Sequence, residues 1–281
     1  MKTVIGIDVG GTTTKIVGFS ADGKKLKLIS PQLVRANDPV TSAYGAFGKF
    51  TLENEIKLDK IDRVMMTGAG SSFIDKPIYS VECKLASEFA SIGRGGLYLS
   101  GLDEAIVISM GTGTALVYAK TDGDGIHTEY LGGTGVGGGT LIGLTRKILG
   151  VENIDHIEQL CDGGNLDNVD LRIKDISNQS NYNGVNEELT AANFGKLSDI
   201  ATKHDIALGI TNLVAETVGM MAIFAARNYG IKNIVLTGNL TTVSPIRDRL
   251  LGMNKNFDIN FIIPENANYA TVIGAALHGL N

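Results

Sequence analysis

The same short arrangement occurs twice in this chain, and that recurrence limits its fold more than any other feature. Residues 3–8 form an apolar run, the chain turns at Gly10-Gly11-Thr12, and Thr13 to Phe19 is a β-branched run. Asp22-Gly23 then reads as a turn into a third strand at 25–30. Further along, Glu104 to Ser109 is apolar, Met110-Gly-Thr-Gly-Thr114 turns the chain, and 114–119 is a second strand. Asp122-Gly123-Asp124-Gly125 leads into a third, 126–131. The interval is too long for a solenoid, so two copies imply two related domains facing each other.

The intervening segments supply the helices. Residues 39–57 are weakly helical, 63–67 read as a buried strand, and 82–92 as a helix closed by the glycines of 93–96. After the Gly-rich segment 132–143, a 3.6-residue apolar stripe over 206–228 predicts a long helix, with Met220 and Met221 in its core and Gly230 ending it. Strands at 233–237 and 259–263 and an Ala-rich helix at 268–280 complete an α/β alternation. The expected lobes are 1–102 and 103–281, with the last helix free to pack back towards the N-terminal lobe.

Composition removes several function classes. The net charge of −5 offers no footprint for nucleic acid or anionic lipid. Residues 1–10 do not read as a secretory signal, and the most apolar helix is interrupted by Asn212, Glu216 and Arg227, so no membrane span is expected. Cys83 and Cys161 fit neither a disulfide framework nor a CxxC site, which suits a reducing cytoplasm. His127, His156, His204 and His278 lack metal-ligand spacing, and the Asp-rich stretch 162–175 reads as a solvated surface. The 36 glycines among 281 residues are clustered, so particular backbone turns are demanded.

Those turns carry the chemistry. In Asp8-Val-Gly-Gly-Thr-Thr-Thr-Lys15, Gly10 and Gly11 let backbone amides approach a polyphosphate, Thr12 and Thr13 add hydroxyls, and Lys15 adds a point charge. Asp8, ending a strand, is placed to hold Mg²⁺ directly or through water. An ordinary hairpin turn is the plainer alternative. Gly111, Thr112 and Gly113 form the matching turn of the second copy, and two such hairpins across a cleft can grip a phosphate chain from both sides. Residues 132–143 contain a GxGxxG frame but lack the context of a dinucleotide fold. They read instead as a loop capping a helix that starts near Thr140, with Gly137, Gly138 and Gly139 at its positive end. Phe194 and the Gly238-Asn239 strand end are candidate walls of an adenine or ribose pocket, although each residue is as readily structural. Glu82 is a candidate general base at the start of a helix, where pattern alone favours a solvated glutamate.

Taken together, Asp8-Val-Gly-Gly-Thr with Lys15, Val81-Glu82, Met110-Gly-Thr-Gly-Thr, Gly132-Gly-Thr-Gly-Val-Gly-Gly-Gly and Leu189-Thr-Ala-Ala-Asn-Phe-Gly195 make the whole chain resemble the type II pantothenate kinases. These belong to the superfamily of acetate kinase, sugar kinases, heat-shock ATPases and actin. The resemblance implies two ribonuclease H-like lobes with the nucleotide between them. It implies transfer of the ATP γ-phosphate to the primary hydroxyl of pantothenate, the first step of coenzyme A synthesis, by a homodimer using Mg²⁺. It puts Glu82 on the catalytic glutamate, Asp8 on the metal position, Lys15 on the catalytic phosphate-binding position, and Gly137–Gly139 on the nucleotide loop. Glu82, Thr112, Thr114 and Tyr130 would then surround the acceptor. The chain departs from the family at Tyr130, where relatives carry an arginine that meets the substrate carboxylate. A tyrosine brings no positive charge. Arg94 is a candidate replacement, and a neutral acceptor such as pantetheine is the alternative. A non-catalytic nucleotide-binding regulator, resembling the activators of radical dehydratases, is a third reading, which the lack of paired cysteines disfavours.

Overall fold

In the computed structural model, which describes residues 2–11, 13–22, 25–35, 38–123, 125–177, 181–182 and 185–280, two five-stranded sheets share one topology. The first contains β1 (Lys2–Val9), β2 (Thr14–Asp22), β3 (Lys25–Val34), β4 (Ile61–Thr67) and β5 (Cys83–Leu85), in the order β3-β2-β1-β4-β5. Two antiparallel hairpins are followed by parallel pairing of β4 to β1 and of β5 to β4. Helix α1 (Pro39–Glu53) lies between β3 and β4, and α2 (Glu88–Ser100) leads out of this half. The second half repeats the plan with β6 (Glu104–Met110), β7 (Thr114–Asp122) and β8 (Gly125–Thr134). It continues through α3 (Gly138–Leu149), α4 (Ile154–Cys161), β9 (Leu171–Arg172), α5 (Ile173–Ile176), β10 (Asn181–Tyr182), β11 (Val185–Asn186) and β12 (Thr190–Ala192). The long α6 (Lys203–Tyr229) precedes β13 (Asn233–Thr237), α7 (Ser244–Gly252), α8 (Asn254–Phe257), β14 (Asn260–Ile262) and α9 (Ala270–His278). The sheet order is β14-β13-β6-β7-β8, with β13 parallel to β6 and β14 parallel to β13. The recurrence in the sequence is therefore a recurrence of structure.

Central strands covered on both faces need continuous apolar runs rather than alternation, which is why β1 and β6 read as they do. On the first sheet, Ala43, Ala46, Phe47 and Phe50 of α1 bury Ile5, Ile7 and Ile16. Its other face is covered by α9, whose Val272, Ile273 and Ala276 meet Val17 and Phe19. On the second sheet, Ile210, Val214 and Val218 of α6 bury Ile106, Ile108 and Leu116. The opposite face is covered by α2, through Ile92 and Leu97 against Val107, Val117 and Val235. The halves thus exchange helices. The helix leaving the first sheet covers the second, and the last helix of the chain covers the first, so a boundary at residue 102 cuts across this exchange.

Three further expectations are corrected. No helix starts at Glu82: Cys83–Leu85 pairs beside β4, and the helix begins at Glu88 behind its cap Ser87. The glycines of 93–96 lie inside that helix rather than closing it, because its faces press against β7, β6 and α9 too closely for side chains. The Asp-rich segment is not all solvated. Asp170 is fully buried, accepting hydrogen bonds from the Phe194 amide (2.8 Å) and Asn212 Nδ2 (2.8 Å). Helix α6 is long and apolar enough to cross a bilayer by length and composition, yet here most of its apolar window is buried inside the fold. Its Asn212 and Glu216 are bonded internally, Glu216 accepting from Thr190 Oγ1 (2.8 Å) and Asn193 Nδ2 (2.9 Å). The Asp22-Gly23 turn falls partly outside the described residues, as does the second half of the turn at 122–125, where Asp124 is not described.

Candidate active site

The two glycine–threonine hairpins open into one cavity of about 690 Å³. The first hairpin joins β1 to β2, with Asp8 opposite Lys15 in the register and Gly10 N–H donating to the Thr13 carbonyl (3.0 Å). The second joins β6 to β7 in the same way, with Met110 opposite Thr114 and Gly111 N–H donating to the Gly113 carbonyl (2.9 Å). Gly10, Gly11, Thr13 and Lys15 line the cavity from one side and Gly111, Thr112, Gly113 and Thr114 from the other, with Asp8 in the same wall. Thr12 lies outside the described residues.

Charge in this cavity is concentrated and poorly solvated. Burial pushes the Asp8 carboxyl up to about 6, against the pull of Lys15, while Glu88 pushes in the same direction as burial. Burial likewise lowers Lys15, and Asp8 opposes it. Lys15 is 7% exposed and donates through Nζ to the Asn268 carbonyl (2.5 Å), just before α9. The first hairpin is thereby tied to the segment that returns from the second half of the chain.

A single strand-end carboxylate in a cleft lined by two glycine–threonine hairpins fits Mg²⁺. That ion keeps several waters and is usually held by one or two carboxylates together with substrate phosphates, not by an all-protein cage. Among the described residues no cluster of three His, Cys, Asp or Glu could hold a metal by itself, so Asp8 would hold Mg²⁺ only together with the nucleotide.

Not every expected site residue reaches the cavity. The side chain of Glu82 is 64% exposed, faces Lys84 at 3.5 Å, and does not line it. Glu88 does, at the first turn of α2, and burial raises its carboxyl above the usual range. The sequence signal was present: Ser87 is a good cap, and a helix started there aims its first carboxylate into the cleft. Gly137, Gly138 and Gly139 do not line the cavity either. Gly138 N–H donates to the Gly111 carbonyl (2.9 Å) and Gly139 N–H to that of Thr112 (2.8 Å), so these amides hold the second hairpin rather than a phosphate. The cavity wall there is formed by Gly133, Thr134 and Gly135 instead. Phe194 packs against the α6 core outside the cavity, with a left-handed φ of 58°.

Gly238 and Asn239 line the cleft at the end of β13, and Gly238 has φ 90° with its Cα against the backbone of Met110. Tyr130 lines it from β8, beside Ile92, Ser109 and Thr271, which sequence reasoning did not single out. The cysteines sit in different halves. Cys83 belongs to the first sheet and Cys161 is buried on α4 beside Thr211 Oγ1 (3.3 Å).

The fold has solved counterparts. The activator of the 2-hydroxyisocaproyl-CoA dehydratase from Clostridium difficile, with bound ADPNP, aligns with a TM-score of 0.65 at 18% identity, covering 98% of this chain and 93% of that one. A candidate sugar kinase from Cytophaga hutchinsonii aligns at 0.52 and 15% identity, over 99% and 100%. At these identities the likeness establishes the two-lobed actin-like fold. In sequence, the chain is 27% identical to the type II pantothenate kinase of Staphylococcus haemolyticus, over 86% of each chain. It is 26% identical to that of Bacillus thuringiensis subsp. konkukian over 100% of this chain and 99% of the other. The type II pantothenate kinase of Oceanobacillus iheyensis matches at 27%, over 97% and 98%. The Fumble family model matches residues 41–277, from α1 through nearly all of α9, and the chain belongs to the Fumble family.

Proposed function

We propose that this protein is an ATP-dependent kinase that phosphorylates the primary hydroxyl of pantothenate, the first step of coenzyme A synthesis. The observation that carries the reading is the convergence of two glycine–threonine hairpins and the partly desolvated Glu88 carboxyl on a single cavity. Relatives named type II pantothenate kinase over nearly the full chain support the acceptor.

In this reading the amides of Gly11 and Gly113 and the Lys15 ammonium hold the phosphates, the Gly10 and Gly111 amides close the two turns, and Gly238 and Asn239 border the nucleoside. Asp8 would hold Mg²⁺ together with the nucleotide, and the ion would there offset phosphate charge. Glu88, rather than Glu82, takes the proton of the acceptor hydroxyl as its oxygen bonds to the γ-phosphorus and the bond to the β-phosphate oxygen breaks, releasing ADP. A carboxyl raised by burial is a better base than a solvated one. Thr112 and Tyr130 border the acceptor. A cytoplasmic homodimer belongs to the same reading, and light scattering of the purified protein tests the dimer.

The experiment is a pair of isosteric variants. Glu88→Gln is expected to lower turnover about 10²–10⁴-fold with Mg·ATP binding retained, and Glu82→Gln to retain turnover. Near-normal turnover in Glu88→Gln removes that residue from the base role. Loss confined to Glu82→Gln restores the original assignment.

A further inference from the structure

The motif Leu189-Thr-Ala-Ala-Asn-Phe-Gly195 lines no part of the cleft. It builds a polar network against α6 instead. Thr190 Oγ1 and Asn193 Nδ2 donate to Glu216, which also pairs with Arg249 of α7. The Phe194 amide and Asn212 Nδ2 both donate to the buried Asp170. Two buried atoms of this network are left over. Asn212 is 3% exposed, and its Oδ1 accepts no hydrogen bond among the described residues. Arg249 Nε donates none. A buried acceptor and a buried donor without partners destabilise a fold, and a ligand that engages both is a physical reason to keep them.

Asn212 and Arg249 both line a groove of about 470 Å³ enclosed by α4, α6 and α7, which shares no lining residue with the cleft. With Nδ2 committed to Asp170, Oδ1 is the end of the Asn212 amide left for a ligand. One water takes up about 30 Å³, so the groove has room for an organic molecule. Glu158 and Asp248 add carboxylates to its walls, and so does Asp162 at the end of α4. Arg249 is the one cation among the described lining residues, and Glu216 offsets it. Arg247 stands 3.9 Å from Asp248 but outside the lining. The groove is therefore acidic and favours a positive charge. Among the described residues no three His, Cys, Asp or Glu side chains gather for a metal ion, which points to an organic cation. The Arg249 Nε donor sets the second requirement, a neutral acceptor such as an amide carbonyl. Leu166, Leu208 and Pro245 offer apolar surface to a carbon chain between the two.

We propose that this groove is a second binding site, for a small organic cation whose ammonium lies between Asn212 Oδ1 and the wall carboxylates and whose neutral carbonyl accepts from Arg249 Nε. The inference does not rest on the kinase reading, and neither does its test. Binding to the purified full chain is measured by calorimetry with three probes of similar length. N-acetylputrescine is a cation, N-pentylacetamide has a methyl in place of the ammonium, and 4-acetamidobutyrate is an anion. N-acetylputrescine is expected to bind about tenfold or more tightly than either of the others. The double variant Asp162→Asn/Asp248→Asn, on two exposed residues, is expected to weaken that binding about five- to tenfold. Asn212→Leu is expected to abolish the preference for the cation, and the surface double variant keeps the test open if that protein fails to fold. Equal affinity for N-acetylputrescine and N-pentylacetamide overturns the inference, as does no binding of the cation up to about 10 mM. Unchanged affinity in the folded variants also overturns it. Loss of binding under saturating Mg·ATP would assign the groove to the nucleotide site and overturn it as a second site. None of these results bears on the Glu88→Gln comparison, so the kinase reading stands or falls separately.

Discussion

Replacing Gly274 by alanine tests how the proposed base, Glu88, is positioned. Helices α2 and α9 cross with backbone against backbone. A Cβ on Gly274 would stand 1.9 Å from the Ser91 carbonyl oxygen, and one on Gly95 would stand 1.9 Å from that of Ala270. Real Cβ contacts essentially never fall below 3.0 Å, so the helices must part by about 1.1 Å or more. The obstructing atoms are backbone, so no side chain can rotate away. Parting them loosens Val272, Ile273 and Ala276 from Val17 and Phe19. Overpacking typically costs about 1–3 kcal/mol, and a clash with main chain belongs at the upper end. At about 2–4 °C per kcal/mol, the Tm should fall by about 6 °C or more.

The displacement also reaches the chemistry, because Ser91 lies one helical turn from Glu88. A shift of about 1 Å in a catalytic group can cost about a hundredfold in kcat. The assay is a thermal melt and a coupled ADP-release measurement on Gly274→Ala. Gly143→Ala is the control, since that helical glycine has open space around it and alanine there should be neutral or stabilising by about 0.5–1 kcal/mol. The Gly95→Ala/Gly274→Ala double variant should lose less than the sum of the singles, because the first separation makes room for the second methyl. A Gly274→Ala protein with parental Tm and kcat would refute the reasoning.

Two other perturbations follow from the structure. Asp205 caps α6, accepting from the Thr202 amide (2.8 Å) and the Asn165 amide (2.7 Å), and these bonds lower its carboxyl to about 2. A lowered carboxyl stabilises the fold above about pH 4 and loses that contribution as the pH falls towards 2, an effect of about 1–2 kcal/mol after solvent screening. Melting curves of the parent and Asp205→Asn should therefore converge as the pH is lowered from 5 to 3, and a pH-independent gap would count against it. In Gly238→Ala, the added methyl would lie 2.5 Å from the Met110 carbonyl oxygen at φ 90°, so both Tm and Mg·ATP affinity should drop together. Calorimetry showing parental affinity would separate Gly238 from the nucleotide site.

Much of the architecture follows from local pattern. Apolar runs at 3–8 and 104–109, each ended by a glycine–threonine turn, specify strand, tight turn and strand without help from distant residues, because doubly covered strands and hairpin turns are short-range signals. That pattern, repeated, was enough to specify two related halves and to mark Asp8, Lys15, Gly111 and Thr112 as cleft residues. What tertiary structure alone decided were the outcomes set by close approach between distant segments. Glycine disfavours helix on intrinsic grounds, so 93–96 read as a terminator, yet contact with Ala270, Val107 and Ala119 requires bare backbone inside α2. Pairing of Cys83–Leu85 beside β4 moves the helix start from Glu82 to Glu88 and changes which carboxylate faces the cleft. The amides of Gly138 and Gly139 looked free for phosphate until the second hairpin was found occupying them, and Asp170 looked solvated until α6 closed over it. In each case the deciding partner lay far away in the chain, where neither propensity nor spacing carries information about it.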